Sequence, residues 1–153
     1  MKSDVLTTLT NYNTNTLTQF DGVFRYSKLT GLIDGTDSSI LSNITTLKIR
    51  KDFTPTLASS TKYNVYFRNA LFNPHSGHNA AAGGILETSG FKISGDSSTV
   101  FFLDDDGQGN VRRYSFSGAT RVYANETQGT IDYSTGAITI NSLSVLSVEN
   151  IRV

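Results

Sequence analysis

Three consecutive carboxylates, Asp104, Asp105 and Asp106, run into Gly107, Gln108, Gly109 and Asn110. Hard oxygen ligands at alternate positions before a glycine are what a calcium loop needs, and Asp104 and Asp106 are the candidate ligands. Placing Asp104, Asp106 and Gly107 at the third, fifth and sixth positions of such a loop puts Phe102 first and Arg113 twelfth, where a bidentate Glu is required. The run therefore reads as a hairpin turn, in which Asp and Gly tolerate left-handed backbone.

His75 and His78 lie three apart in the loop Asn73–Gly84, flanked by Pro74 and Gly77. Two imidazoles can join a metal site, but no Cys or adjoining carboxylate completes one, and Pro74 and Gly77 oppose a rigid helical pair. Pro74, His75 and His78 are read as a surface loop able to contact a partner. Glu87, Glu126, Asp132 and the three aspartates offer carboxylates for a glycosidase pair, yet spacing along a meander brings no two of them face to face. Neither a nucleophile elbow, a P-loop nor a dinucleotide fingerprint is present. Asn43-Ile-Thr45 and Asn125-Glu-Thr127 match the glycosylation acceptor pattern, as a Thr- and Asn-rich chain does by chance. The reading is no enzyme, no metal and no cofactor.

These residues are positioned by a β-rich stretch, 99–141. Short runs of β-branched and aromatic residues (99–103, 111–116, 120–123, 129–133, 137–140) alternate with turn clusters, the pattern of an antiparallel meander. Within 111–116, Val111, Arg113 and Ser115 oppose Arg112, Tyr114 and Phe116. A meander buries one face and needs a second layer, which the earlier chain is expected to supply. Earlier strands are predicted at 44–51, where Leu47 and Ile49 alternate with charges, at 63–71, and around 85–93 with a break at Ser89-Gly90. Tyr63, Val65 and Phe67 should share a buried face, with Phe24 and Ile33 packed on it from a helical layer. Helices are predicted over 4–10, capped by Ser3 and continuing beyond, and over 27–35, followed by one capped turn at Asp37.

The expected fold class is α+β, predominantly antiparallel, with short N-terminal helices packed on a meander or sandwich-like sheet system. It is expected as a single domain over 1–153, with a helical part at about 4–40 and a β part at about 44–153. At 153 residues one core needs no covalent staples, and there are no cysteines to form them. Thirteen basic and thirteen acidic residues cancel, so the electrostatic footprint of a nucleic-acid binder is missing. No apolar run has the length of a signal-peptide core or a membrane span. The final stretch, 143–153, is apolar in alternation and lacks a stop signal. Val148 and Ile151 there are interface candidates, since an unblunted edge strand is a template for another chain. The ending reads as a cut within a longer protein.

Two stretches carry a family resemblance: FDGVFRYSKLTGLIDGTDSSILSN (20–43), and YFRNALFNPHSGHNAAAGGILETSGFKI leading into FFLDDDGQGNVRRYSF and GTIDYSTGAITI. Together they resemble a domain of the baseplate wedge protein of T-even-type contractile-tailed phages, of the gene product six type, related to baseplate J proteins. The resemblance implies a non-enzymatic virion component of the tail baseplate. It also implies self-association, contacts with other baseplate wedge proteins, and assembly in the host cytoplasm. A receptor- or glycan-binding tail domain, marked by an exposed aromatic cluster, is the alternative. A tail-associated polysaccharide hydrolase, marked by two carboxylates facing across a groove, stands behind it.

Overall fold

The computed structural model describes residues 1–146 and 151–153. The chain divides into two compact units, Met1–Lys48 and Ile49–Val153.

The first unit is helical. Helix α1 (Lys2–Tyr12) continues as a π-helical turn, Asn13–Leu17, and helix α2 spans Tyr26–Asp34. Threonine disfavours a helix because its hydroxyl competes for backbone groups. Here that tendency is absorbed within the helix: Thr7 and Thr10 donate to the carbonyls of Ser3 and Leu6, each at 2.9 Å. Ser3 does not cap α1; the helix begins one residue before it, and the Met1 ammonium pairs with Asp4 at 2.6 Å. Tyr12 and Leu29 are buried, and the Tyr12 hydroxyl accepts the Arg25 N–H at 3.1 Å. Within this unit Phe24 meets the Tyr12 ring edge-on at 6.3 Å. Asp37 caps its turn as expected, accepting the Ser39 N–H at 2.8 Å.

The second unit is a curled sheet. Its strands are β1 (Asp52–Phe53), β2 (Thr61–Tyr66), β3 (Phe91–Ile93), β4 (Asp96–Asp105), β5 (Asn110–Ser117), β6 (Thr120–Asp132), β7 (Ala137–Leu143) and β8 (Ile151–Arg152), with a short helix α3 (His78–Ala82). Six strands form one antiparallel sheet in the order β2-β7-β6-β5-β4-β3, and β1 pairs with β8. The meander from β4 to β7 is the one expected over 99–141, although 120–123 and 129–133 belong to a single strand. Two register shifts between β5 and β6 absorb the polar stretch that looked like a break. A strand ladder at 44–51 does not form. Leu47 and Ile49 are about half exposed, because alternation shapes a strand only where a neighbour offers its backbone, and pairing begins at Lys51 with Val153.

The curl is fastened by residues that follow β7. Ser94 N–H donates to Ser144 O and Leu146 N–H to Lys92 O, each at 2.9 Å, while Ala58 N–H donates to Val145 O at 3.0 Å. Segment 144–146 thus joins the outer edge of β3. Leu103, Val111, Ile138, Ile140 and Leu143 fill the concave face, all at 1 % exposure or less. Val65 is buried there, with Tyr63 and Phe67 half-buried beside it, as the alternation predicted. Much of the second layer comes from behind the meander instead of before it, from Leu143, Val145, Ile151 and Val153.

This overturns the free edge expected over 143–153, as far as that segment is described. Ile151 is 1 % exposed. Val153 exchanges both backbone bonds with Lys51, and Arg152 uses both of its backbone groups on Ser89. Among the described residues 151–153, a side chain inside the unit and a strand paired on both sides leave no free edge for a second chain to template. Val148 lies outside the described residues.

Candidate functional site

The three aspartates occupy the turn from β4 to β5, and alternation sends their side chains to different places. Asp105 faces inward with Leu103 and Phe101, and is completely buried. Its Oδ1 accepts the N–H groups of Ile85 (2.7 Å) and Leu86 (2.6 Å), and its Oδ2 accepts the Gly107 N–H (3.2 Å) and the Tyr133 hydroxyl. Burial, and then the bond to Asp105, push the Tyr133 hydroxyl far above its usual pKa. Asp106 folds the turn, accepting the N–H groups of Gln108 (2.7 Å) and Asn110 (3.0 Å) and the Asn110 amide (2.6 Å). Burial opposes its charge, but these bonds outweigh it and hold the carboxyl below its usual range.

Asp104 faces the other side of the sheet and is 2 % exposed, covered by its own partners. Arg112 grips it in a two-pronged pair at 3.0 and 3.1 Å, Arg121 adds a third bond at 2.7 Å and the Tyr123 hydroxyl a fourth at 3.0 Å. The guanidinium of Arg112 lies 4.3 Å from the centre of the Tyr123 ring, and that of Arg121 lies 4.7 Å from Tyr114. Phe102 stacks on Tyr114 at 5.6 Å, and Phe116 meets both rings edge-on at 5.4 Å. The outer face of β4, β5 and β6 is therefore a ladder of rings and cations around one buried carboxylate, ending at Phe116, which is half exposed.

The oxygens of Asp104 and Asp105 are thus engaged by protein donors, two of them cationic on Asp104, and the two carboxyls project to opposite faces. Neither a calcium shell nor a facing pair of acids is assembled there. Among the described residues no three His, Cys, Asp or Glu side chains gather closely enough to hold a metal ion.

The turn also seats α3. Gly107, at φ 74°, lies so close to Asn79 and Ala80 that a Cβ would run into their backbone. Gly84 approaches Asp105 in the same way. The His-bearing loop and the aspartate turn therefore share one end of the β unit. His75 and His78 bracket a tight turn closed by the bond from His78 N–H to His75 O at 3.1 Å. Gly77 adopts φ 75° and ψ 0°, the third position of a type II turn, which demands glycine. Pro74 and His75 are exposed and His78 is half-buried.

Arg112, Arg121, Tyr123 and Tyr133 were not anticipated around the aspartates. The signal was present for Arg112, which alternation placed with Tyr114 and Phe116. Arg121, Tyr123 and Tyr133 depend on strand register that no local pattern reveals.

Residues 1–52 match the family model described as baseplate structural protein gp6, C-terminal domain III. The first 52 residues match a gp6-type baseplate wedge protein domain. The matched span includes the 20–43 stretch that carried the resemblance, while the second stretch lies outside it. The gp6 match supports a structural component of a phage tail baseplate. No curated protein and no solved structure matches the chain. No helix among the described residues is long and apolar enough to cross a membrane.

Proposed function

We propose that this chain is a non-enzymatic component of a contractile phage tail baseplate that makes subunit contacts in the wedge ring. Its partners are further copies of itself and other baseplate wedge proteins, in the virion after assembly in the host cytoplasm. Nucleic acid and membrane have no part in this reading. The observation that carries it is the gp6 match over residues 1–52.

The exposure pattern of the same residues supports it. Phe20, Leu41 and Ile44 are 108 %, 95 % and 100 % exposed, and Leu6 and Val23 are more than half exposed. Only Tyr12 and Leu29 of this unit are buried among its apolar residues. A unit this small buries little on its own, and large exposed apolar side chains mark surfaces that associate. Pro74, His75 and His78 offer a second contact on the β unit. Ile151, inside that unit, is withdrawn as a contact.

The test is co-expression with the wedge proteins encoded beside this chain, followed by co-purification and sedimentation. The intact chain should sediment as an oligomer or in complex with a wedge protein, and a Phe20→Ser, Leu41→Ser, Ile44→Ser variant should lose this. A chain that stays monomeric at high concentration and captures no wedge protein would sink the proposal.

The receptor- or glycan-binding alternative draws on one observation, the half-exposed Phe116 at the end of the ring ladder. Sugar rings stack on such a face, so oligosaccharide binding abolished by Phe116→Ala would favour that reading.

A further inference from the structure

The turn His75-Ser76-Gly77-His78 places two imidazoles side by side, with His78 Nδ1 3.2 Å from His75 Nε2 and the rings nearly perpendicular at 85°. We propose that this pair is a binding site for a divalent transition ion of the zinc class, held by His75 Nε2 and His78 Nδ1 with its remaining positions open to water.

The separation fits the chemistry. Two imidazole nitrogens about 2.05 Å from one tetrahedral zinc ion lie about 3.3 Å apart. The turn fixes this separation, because it brings its first and fourth residues together and Gly77 supplies the left-handed corner.

The tautomer of His75 is also arranged. Its Nδ1–H donates to the Ser76 carbonyl at 3.1 Å, so Nε2 keeps its lone pair and accepts the hydrogen bond of His78 Nδ1–H; the ion takes the place of that bridging proton once His78 shifts to its Nε2–H tautomer. A backbone carbonyl on the far nitrogen is the usual partner that orients a metal-binding imidazole. Phe72 stands edge-on to His78 at 5.2 Å and limits its swing. The site is open to solvent, so an ion has a path in. Imidazole selects zinc, nickel and copper over the hard ions calcium and magnesium.

The experiment is calorimetric titration of the full chain with Zn²⁺ in a non-coordinating buffer, with Ca²⁺ as control. One Zn²⁺ per chain should bind, Ca²⁺ should not compete, and His75→Ala and His78→Ala should each weaken binding about tenfold or more. Gly77→Val removes no ligand but strains the turn, and should also weaken binding. The chain holds two histidines in all, so imidazole NMR signals report the site without mutation, and both should shift with one equivalent of Zn²⁺. No binding up to about millimolar Zn²⁺, affinity unchanged in both His→Ala variants, or unmoved imidazole signals would each overturn the proposal. The wedge-ring reading is decided separately, by the sedimentation test with the Phe20, Leu41 and Ile44 variant, which leaves both histidines in place.

Discussion

At the residue scale, the adjacent carboxylates of 104–106 perform three different tasks because alternation sends neighbours to opposite faces and a turn turns the third outward. Asp105 is a buried charge whose penalty is offset by four donors. Asp105→Ala should therefore cost about 3–5 kcal/mol in urea unfolding, since it strands buried N–H groups and the Tyr133 hydroxyl. A cost under about 1 kcal/mol would refute the view that Asp105 holds these donors in place. Calcium should leave the melting temperature unchanged, because bound ligand raises it only by occupying the native state and these oxygens are already taken. A rise of many degrees would show otherwise. Asp96 and Asp132 are each held down to about 2 by hydrogen bonds, from Thr99 and Ser98 on the first and from Ser134 and Thr135 on the second. Their folded pKa lies below the unfolded one, so their contribution is complete above the unfolded value and is lost as pH falls through about 2. Tyr133 acts in the opposite sense. Its folded pKa is raised, so its contribution is present below the unfolded value near 10 and is lost as pH rises beyond it. Thermal melts across pH should be level between these limits and decline at both ends.

At the scale of elements, β4 and the turn after it organise the β unit, with α3 seated on Gly107 and the 85–86 backbone hung on Asp105. Gly107→Ala should release α3, since the added Cβ meets the Asn79 and Ala80 backbone at a left-handed corner. The expected readout is fast amide exchange over 78–82 while β5 and β6 stay protected. Exchange accelerated equally throughout would mean α3 is not separately held. On the β2 face, Leu103→Ala in the neighbouring core should cost about 2–5 kcal/mol, and Phe67→Ala less, about 1–2 kcal/mol, because Phe67 is only half-buried. Equal costs in equilibrium unfolding would contradict the observed burial.

At the scale of the molecule, the described core residues of the β unit lie within 53–153, whereas the helical unit buries few apolar residues of its own. Residues 49–153 produced alone should therefore melt cooperatively, while residues 1–48 alone should lack a cooperative transition. Loss of the transition in 49–153 would show that the core description is incomplete. This asymmetry is what the wedge-ring proposal uses: the gp6-matched segment buries few of its apolar residues and exposes Phe20, Leu41 and Ile44 almost completely.

Local chemistry alone determined the meander, its turn positions, the inward face of β2, the two principal helices and the hairpin reading of 104–110. In each case the signal is carried by residues within a few positions of one another, through turn-forming Asp and Gly or through an alternation of period two. The same local signal misled at 44–51, where Leu47 and Ile49 alternate but find no ladder, and at 151–153, where an apparent edge was consumed by Lys51 and Ser89. It left α3 in a loop and divided β6 in two. What only the tertiary structure decided depends on pairing across long separations. Segment 144–146 closes the curl against β3, Arg121 and Tyr123 reach Asp104 from β6, and the Tyr133 hydroxyl reaches Asp105. A strand's pattern names the faces it has, but its partner, register and free edges are set by backbone groups far along the chain, which no local window contains.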